Sequence, residues 1–254
     1  QVSFEDSVIQ HEFGSGSFGW GITTGDVNGD GILDIAMSDP LANNATGRGW
    51  ILLGPEFTTE IPVNVPYKAY KDFMGAGPWE LVDVNGNGLD DLLMGFPSSD
   101  AGTPQENIGR ALIGLAPTFT RAIELQDPDP TFTTDFGSAL VAHDFTGDGL
   151  LDVAVGSPRS PGPMLQPGPG RIDIYAGPSF LGASVQTLQP PVGQQYLNKW
   201  GQILHVADFD KDGDFDLLTS DRPAAGGSGF TWLLDIDPAV LVPWDVLQLT
   251  AAPA

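Results

Sequence analysis

The sequence contains no cysteine, so neither disulfide nor thiol chemistry is open to it. Basic residues are scarce: 10 Lys and Arg stand against 33 Asp and Glu, a formal charge of −23. Nucleic-acid binding depends on neutralising phosphates, and no basic patch is present to do so. Anionic membrane surfaces are disfavoured for the same reason. No run of eighteen apolar residues occurs, so no helical membrane span is expected. Sustained helical periodicity is missing too, and 33 Gly with 22 Pro oppose helices of any length. There is no G-x-S-x-G elbow, H-E-x-x-H zinc motif or phosphate-cradling loop. The chain is expected to be all-β.

What is present is a nine-residue acidic loop, four times over: DVNGDGILD (26–34), DVNGNGLDD (83–91), DFTGDGLLD (144–152) and DFDKDGDFD (208–216). Each copy has oxygen-bearing side chains at positions 1, 3, 5 and 9 and Gly at position 6. Ca²⁺ takes six to eight oxygen ligands, and a short loop supplies them when alternate side chains point inward around a sharp turn. The opening is like that of an EF-hand loop, but the closing acid comes at position 9 and short apolar segments flank the loop instead of helices. Those segments, 21–24, 80–82, 139–142 and 203–206 before the loops and 35–37, 92–94, 153–155 and 217–218 after them, read as strands. Four calcium sites are expected, each in a strand–loop–strand hairpin. Mg²⁺ suits an all-protein cage less well.

The expected ligands of the first site are Asp26, Asn28, Asp30, Asp34 and the carbonyl of Ile32. The second uses Asp83, Asn85, Asn87, Asp91 and the Leu89 carbonyl; the third, Asp144, Thr146, Asp148, Asp152 and the Leu150 carbonyl. The fourth uses Asp208, Asp210, Asp212, Asp216 and the Asp214 carbonyl. Side-chain carboxylates therefore number 3, 2, 3 and 4. Four bound Ca²⁺ would leave a formal charge of about −15, still acidic.

The first Asp recurs after 57, 61 and 64 residues, and other features keep that period. An aromatic or Met residue before Gly lies upstream (Phe18-Gly19, Met74-Gly75 after Phe73, Phe136-Gly137, Trp200-Gly201). Downstream come a long loop, a third strand (49–53, 110–115, 171–175, 230–234) and a closing Gly54-Pro55, Ala116-Pro117, Gly177-Pro178 or Asp237-Pro238. Fourth segments follow at 61–65, 122–125 and 185–188. Four short strands per repeat is the signature of a propeller blade.

Together, the aromatic–Gly pair, the DxNxDGxxD loop and the Gly-Pro or Ala-Pro ending resemble FG-GAP repeats, the units of the integrin α-chain N-terminal β-propeller, which also occur in many secreted bacterial proteins. The resemblance spans about residues 10 to 240, and a non-animal secreted relative is expected. It implies one β-propeller domain over residues 1–254, with four blades of four antiparallel strands near 11–66, 67–128, 129–192 and 193–250 and a calcium loop between the first two strands of each. Integrin propellers have seven blades and this chain shows four. A closed four-bladed monomer is the favoured expectation; a half-ring pairing with a second copy into eight blades is the alternative. Either the N-terminal segments (2–4 or 7–10) or residues 246–249 would supply the last outer strand.

The resemblance further implies Ca²⁺ binding and a non-catalytic extracellular or cell-surface role in recognition or adhesion. The alternative is a carbohydrate-active enzyme or lectin on the same scaffold. No charged-then-apolar leader precedes Gln1, as expected if a signal peptide is removed or lies outside this sequence. The long connections at 41–48, 98–108, 159–170 and 222–229 should gather on one face and meet a protein or glycan ligand. Asn43, Asn44, Gln105, Glu106, Asn107, Arg159 and Arg222 are their polar candidates. Of the three histidines, His11, His143 and His205, the last two recur near loop starts and are expected to be structural. Trp50, Trp200 and Trp232 sit at repeat positions that suggest core, and Trp20, Trp79 and Trp244 are not clearly freer.

Overall fold

The computed structural model describes residues 17–65, 73–99, 108–130, 132–160, 168–190, 199–209, 211–220, 231–235 and 246–249. These form four antiparallel sheets, each built from strands in chain order. The first holds β1 (Ile22–Gly25), β2 (Asp34–Asp39), β3 (Arg48–Leu53) and β4 (Thr59–Pro62). The second holds β5 (Trp79–Val82), β6 (Asp91–Gly95), β7 (Ala111–Gly114) and β8 (Ala122–Leu125). The third comprises β9 (Ala139–His143), β10 (Asp152–Ser157), β11 (Arg171–Tyr175) and β12 (Gln186–Leu188). In the fourth are β13 (Ile203–Ala207), β14 (Asp216–Ser220), β15 (Thr231–Asp235) and β16 (Val246–Leu249). The arrangement is propeller-like. The single helical element among the described residues, α1 (Ala42–Ala45), is one turn whose Asn43 and Asn44 are left-handed.

The last outer strand, left open by the sequence, is supplied by β16, which pairs with β15 from Thr231↔Leu249 to Leu234↔Val246. Segments 2–4 and 7–10 lie outside the described residues.

The second strands of sheets two and three are apolar on both faces because a neighbouring sheet covers each side. All of β6 and β10 is buried, and their runs Leu92-Leu93-Met94 and Val153-Ala154-Val155 show no alternation. Three apolar clusters result, one per joint. The first gathers Ile51 and Ala36 with Trp79, Leu92 and Met94, joining sheets one and two. The second joins sheets two and three through Leu93, Ala111, Ile113, Leu140 and Val153. The third joins sheets three and four through Ala154, Ile172, Trp200, Leu204 and Leu217. Each fully buried large side chain contributes about 1.5–3 kcal/mol. At the first joint the fit depends on glycine: a Cβ on Gly49 would lie 2.1 Å from Trp79 Cη2.

The expected closed ring is not what forms. Inner strands pack in sequence, β1 beside β5, β5 beside β9 and β9 beside β13, with no comparable packing of β13 on β1 among the described elements. With no strand exchanged between the two ends of the chain, nothing in the sheet topology draws the first and last sheets together.

Candidate metal-binding loops

Each acidic loop links the inner strand of a sheet to its second strand, so all four lie at the same end of the assembly. Their backbones repeat one conformation. Positions 4 and 6 have positive φ throughout: Gly29 and Gly31 (76° and 80°), Gly86 and Gly88 (71° and 85°), Gly147 and Gly149 (72° and 85°), Lys211 and Gly213 (67° and 106°). The sequence makes position 6 legible as a turn glycine. Position 4 carries the same demand, signalled by Gly29, Gly86 and Gly147 in three of the loops and met in the fourth by a lysine.

Two left-handed residues fold the loop amides back onto the first acid. Asp26 accepts from Gly29 through Oδ1 and from Gly31 through Oδ2, both at 2.7 Å. Asp144 accepts from Gly147 (2.7 Å) and Gly149 (2.8 Å), Asp83 from Asn87 (3.0 Å) and Gly88 (2.7 Å), and Asp208 from Lys211 (2.6 Å). Desolvation pushes the Asp26 carboxyl up, but the amides of Gly31, Gly29, Asn28 and Asp30 outweigh it and hold the group below its ordinary value. Position 5 turns inward in the same way: Asp30, Asn87, Asp148 and Asp212 accept from the position-7 amides of Ile32, Leu89, Leu150 and Asp214 at 2.8 to 3.0 Å.

Position 9 acts over a longer range. Asp34, Asp91, Asp152 and Asp216 are all buried, at 0 to 2 % exposure. In the first three sheets one carboxylate oxygen accepts, at 2.9 Å, the amide of the residue that precedes proline after the third strand: Gly54, Ala116 and Gly177. The other oxygen reaches back into its own loop, to the amides of Val27, Thr146 and Phe209 and to Nδ2 of Asn85. The closing acid thus pins the loop to the far edge of the hairpin, which explains why the DG loop and the Gly-Pro or Ala-Pro ending travel together.

These four carboxylates have no Lys, Arg or His ion pair among the described residues. Burial, with Asp83 and Asp90 nearby, pushes Asp91 up to about 6 against the Ala116 amide. Thr146 Oγ1, at position 3 of the third loop, is buried with no hydrogen-bond partner. An all-oxygen donor set, buried negative charge without a countercharge and an unused hydroxyl oxygen together fit a hard cation. The carboxylates are not, however, drawn onto one point. Among the described residues no three acidic or imidazole groups converge as a ligand set, because the loop amides hold them instead. Asp210 lies outside the described residues.

Neighbouring loops touch. Asp90, which was not among the expected site residues, accepts the Asp26 amide, and its own amide donates to the Asp26 carbonyl at 2.9 Å. His143 packs against Phe145 and Phe215 (ring centroids 5.7 and 4.4 Å), a packing role between loops three and four; burial lowers its pKa despite Asp144 and Asp152.

At the opposite end, an open basin of about 580 Å³ lies where the inner strands begin, lined by Trp20, Ile22, Trp79, Pro97, Ser138 and Gln202. Trp50 and Trp200 are core as expected; Trp20 is 67 % exposed at the basin edge. The connections between second and third strands reach this end and dock on the next sheet through Gly47↔Met74, Gly109↔Phe136 and Gly170↔Trp200. Arg159 pairs with Asp135 at 3.0 Å. Gln105, Glu106, Asn107 and Arg222 lie outside the described residues.

The FG-GAP repeat profile matches residues 18–52 and 136–175, the first and third loops with their flanking strands. The chain is 31% identical over 162 residues to integrin alpha pat-2 of Caenorhabditis elegans, covering 58% of this chain and 13% of that one. It is 30% identical over 167 residues to integrin alpha-PS2 of Drosophila melanogaster (63% of this chain, 11% of that one). Similarity also extends to a phosphatidylinositol-glycan-specific phospholipase D of Dictyostelium discoideum, 28% over 201 residues (69% and 20%). The chain thus spans a fifth or less of the length of these relatives.

Proposed function

We propose, from the FG-GAP repeats that this chain carries, that it is a calcium-binding, non-catalytic recognition or adhesion module working outside the cell. The single observation behind the metal assignment is the recurrence, in all four loops, of a buried position-9 carboxylate with no Lys, Arg or His ion pair among the described residues. In each loop the side chains at positions 1, 3, 5 and 9, with the position-7 carbonyl, would hold the ion. Bound Ca²⁺ would supply the positive charge that the acids lack. Loop and strand edge, already tied by Asp34, Asp91 and Asp152, would then be clamped. Extracellular calcium is in the range at which modest-affinity sites fill.

Similarity to integrin α chains supports the extracellular and adhesive reading. No helix among the described residues is long and apolar enough to cross a membrane. The exposed Trp20 beside the basin favours a second reading, a lectin that stacks a sugar on that indole. A thermal melt in calcium and in chelator tests the metal: a marked fall in Tm on chelation is expected, and an unchanged melt would remove the assignment. A glycan array and a pull-down in calcium buffer separate the two ligand classes.

A further inference from the structure

The joint between the first two sheets carries a polar link between acidic loops. Position 8 of the second loop is Asp90, where the other loops have Leu33, Leu151 and Phe215. Asp90 Oδ2 accepts the amide of Asp26, the first acid of loop one, at 2.7 Å, and the Asp90 amide donates to the Asp26 carbonyl at 2.9 Å. Asp26 is thus held at both polar groups of its own backbone.

The other half of the link is the space that admits it. The residue before the first acid is Gly25 in loop one, against Val82, His143 and Ala207 in the others, and a Cβ on Gly25 would lie 2.5 Å from the same Asp90 oxygen. Both unusual residues therefore fall at one joint and serve one contact. The two loops meet again where a Cβ on Gly29 would lie 2.9 Å from Leu89 Cδ2. Among the described residues, neither Leu151 nor Phe215 makes a backbone bond to the first acid of the preceding loop. Phe215 packs instead on His143, which is not an expected ligand.

Resting on the calcium reading above, we propose that the first and second loops bind their ions as a coupled pair, with Asp90 as the connecting residue. Asp90 has no ligand role of its own. It stands between Leu89, whose carbonyl is an expected ligand, and Asp91, the buried closing acid. Holding those two neighbours around an ion holds Asp90, and Asp90 then holds Asp26. Part of the order that loop one needs is in place before its own ion arrives, so less conformational entropy is lost there. Linkage makes the effect mutual: each loop raises the affinity of the other by the same factor.

The test is a calcium titration of the whole chain followed by NMR, in which the amides of Gly31, Gly88, Gly149 and Gly213, at position 6, report the four loops separately. Asp83→Asn, which disables loop two, should lower the affinity of loop one at least about fivefold, the lower end of typical coupling. Asp26→Asn should lower that of loop two by the same factor. Asp144→Asn should leave loop two unchanged, because the Leu151 side chain cannot accept an amide. Asp90→Leu removes no expected ligand and should make the first two loops independent, so that adding Asp83→Asn no longer moves Gly31. Asp90→Asn keeps an acceptor oxygen and should keep the coupling. A first loop indifferent to Asp83→Asn overturns the proposal without any change at Asp90. So does coupling that survives Asp90→Leu, or an equal response of loop two to Asp144→Asn. Shifts at the four glycines without mutual effect would end the coupling alone, whereas no shift at any of them would remove the calcium reading as well.

Discussion

Asp90 Oδ2 accepts the backbone amide of Asp26 at 2.7 Å, across the joint between the first two sheets. A residue of the second loop thereby fixes the first acid of the neighbouring loop. Gly25 is small enough to allow it, since a Cβ there would lie 2.5 Å from the same oxygen. Asp90→Ala should destabilise the chain by about 1–2 kcal/mol, the range for a hydrogen bond to a charged group that is partly solvated. It should also weaken calcium binding at the first loop although Asp90 is not an expected ligand. Denaturant melts and a loop-resolved titration check both effects.

Ligand charge tunes calcium affinity. With carboxylates numbering 3, 2, 3 and 4 along the chain, the fourth loop is expected to bind tightest and the second weakest. Asp→Asn at position 1 of each loop in turn, followed by calorimetry, would expose the order. The reverse order would show that backbone geometry outweighs charge.

Glu80 faces the joint between the second and third sheets. Burial pushes it up to about 7, against the lowering effect of the Ala142 amide. The folded chain therefore holds a proton that the unfolded chain releases near pH 4.5. This group's contribution is most favourable below that value and declines as pH rises toward 7. Glu80→Gln should match the parent near pH 4 and exceed it near pH 8 by about 2 kcal/mol, allowing for residual solvation. Melts of both proteins across this range would show the gap opening.

Lys211 holds φ +67° at the position where the other three loops have glycine. A side chain in the left-handed region costs about 1 kcal/mol. Lys211→Gly should recover most of that, read as a rise in Tm with an unchanged spectrum.

The elements legible in the sequence were those whose cause is local. Strands announce themselves by short apolar runs such as Leu92-Leu93-Met94, and the loops by acids spaced around a turn glycine. What stayed hidden rests on contacts distant in sequence. The Asp34 to Gly54 tie crosses a hairpin, and Asp90 reaches a different repeat. Arg171 is buried between Asp173 (2.6 Å) and Asp127, a residue 44 positions away in the link between two sheets. Ring closure was illegible for a further reason: curvature is set by how Trp79, Leu140 and Leu204 fill three joints, and no periodicity encodes their sum. The favoured four-bladed closure failed there.

Every sheet is drawn from one uninterrupted stretch of chain, with no strand borrowed from a distant repeat. Its pairings are therefore short-range, and short-range pairings form quickly. A polypeptide emerging N-terminus first could finish its first sheet before its last has been synthesised, each newcomer finding a ready docking plane on its predecessor. Such a chain matures in the order in which it is made.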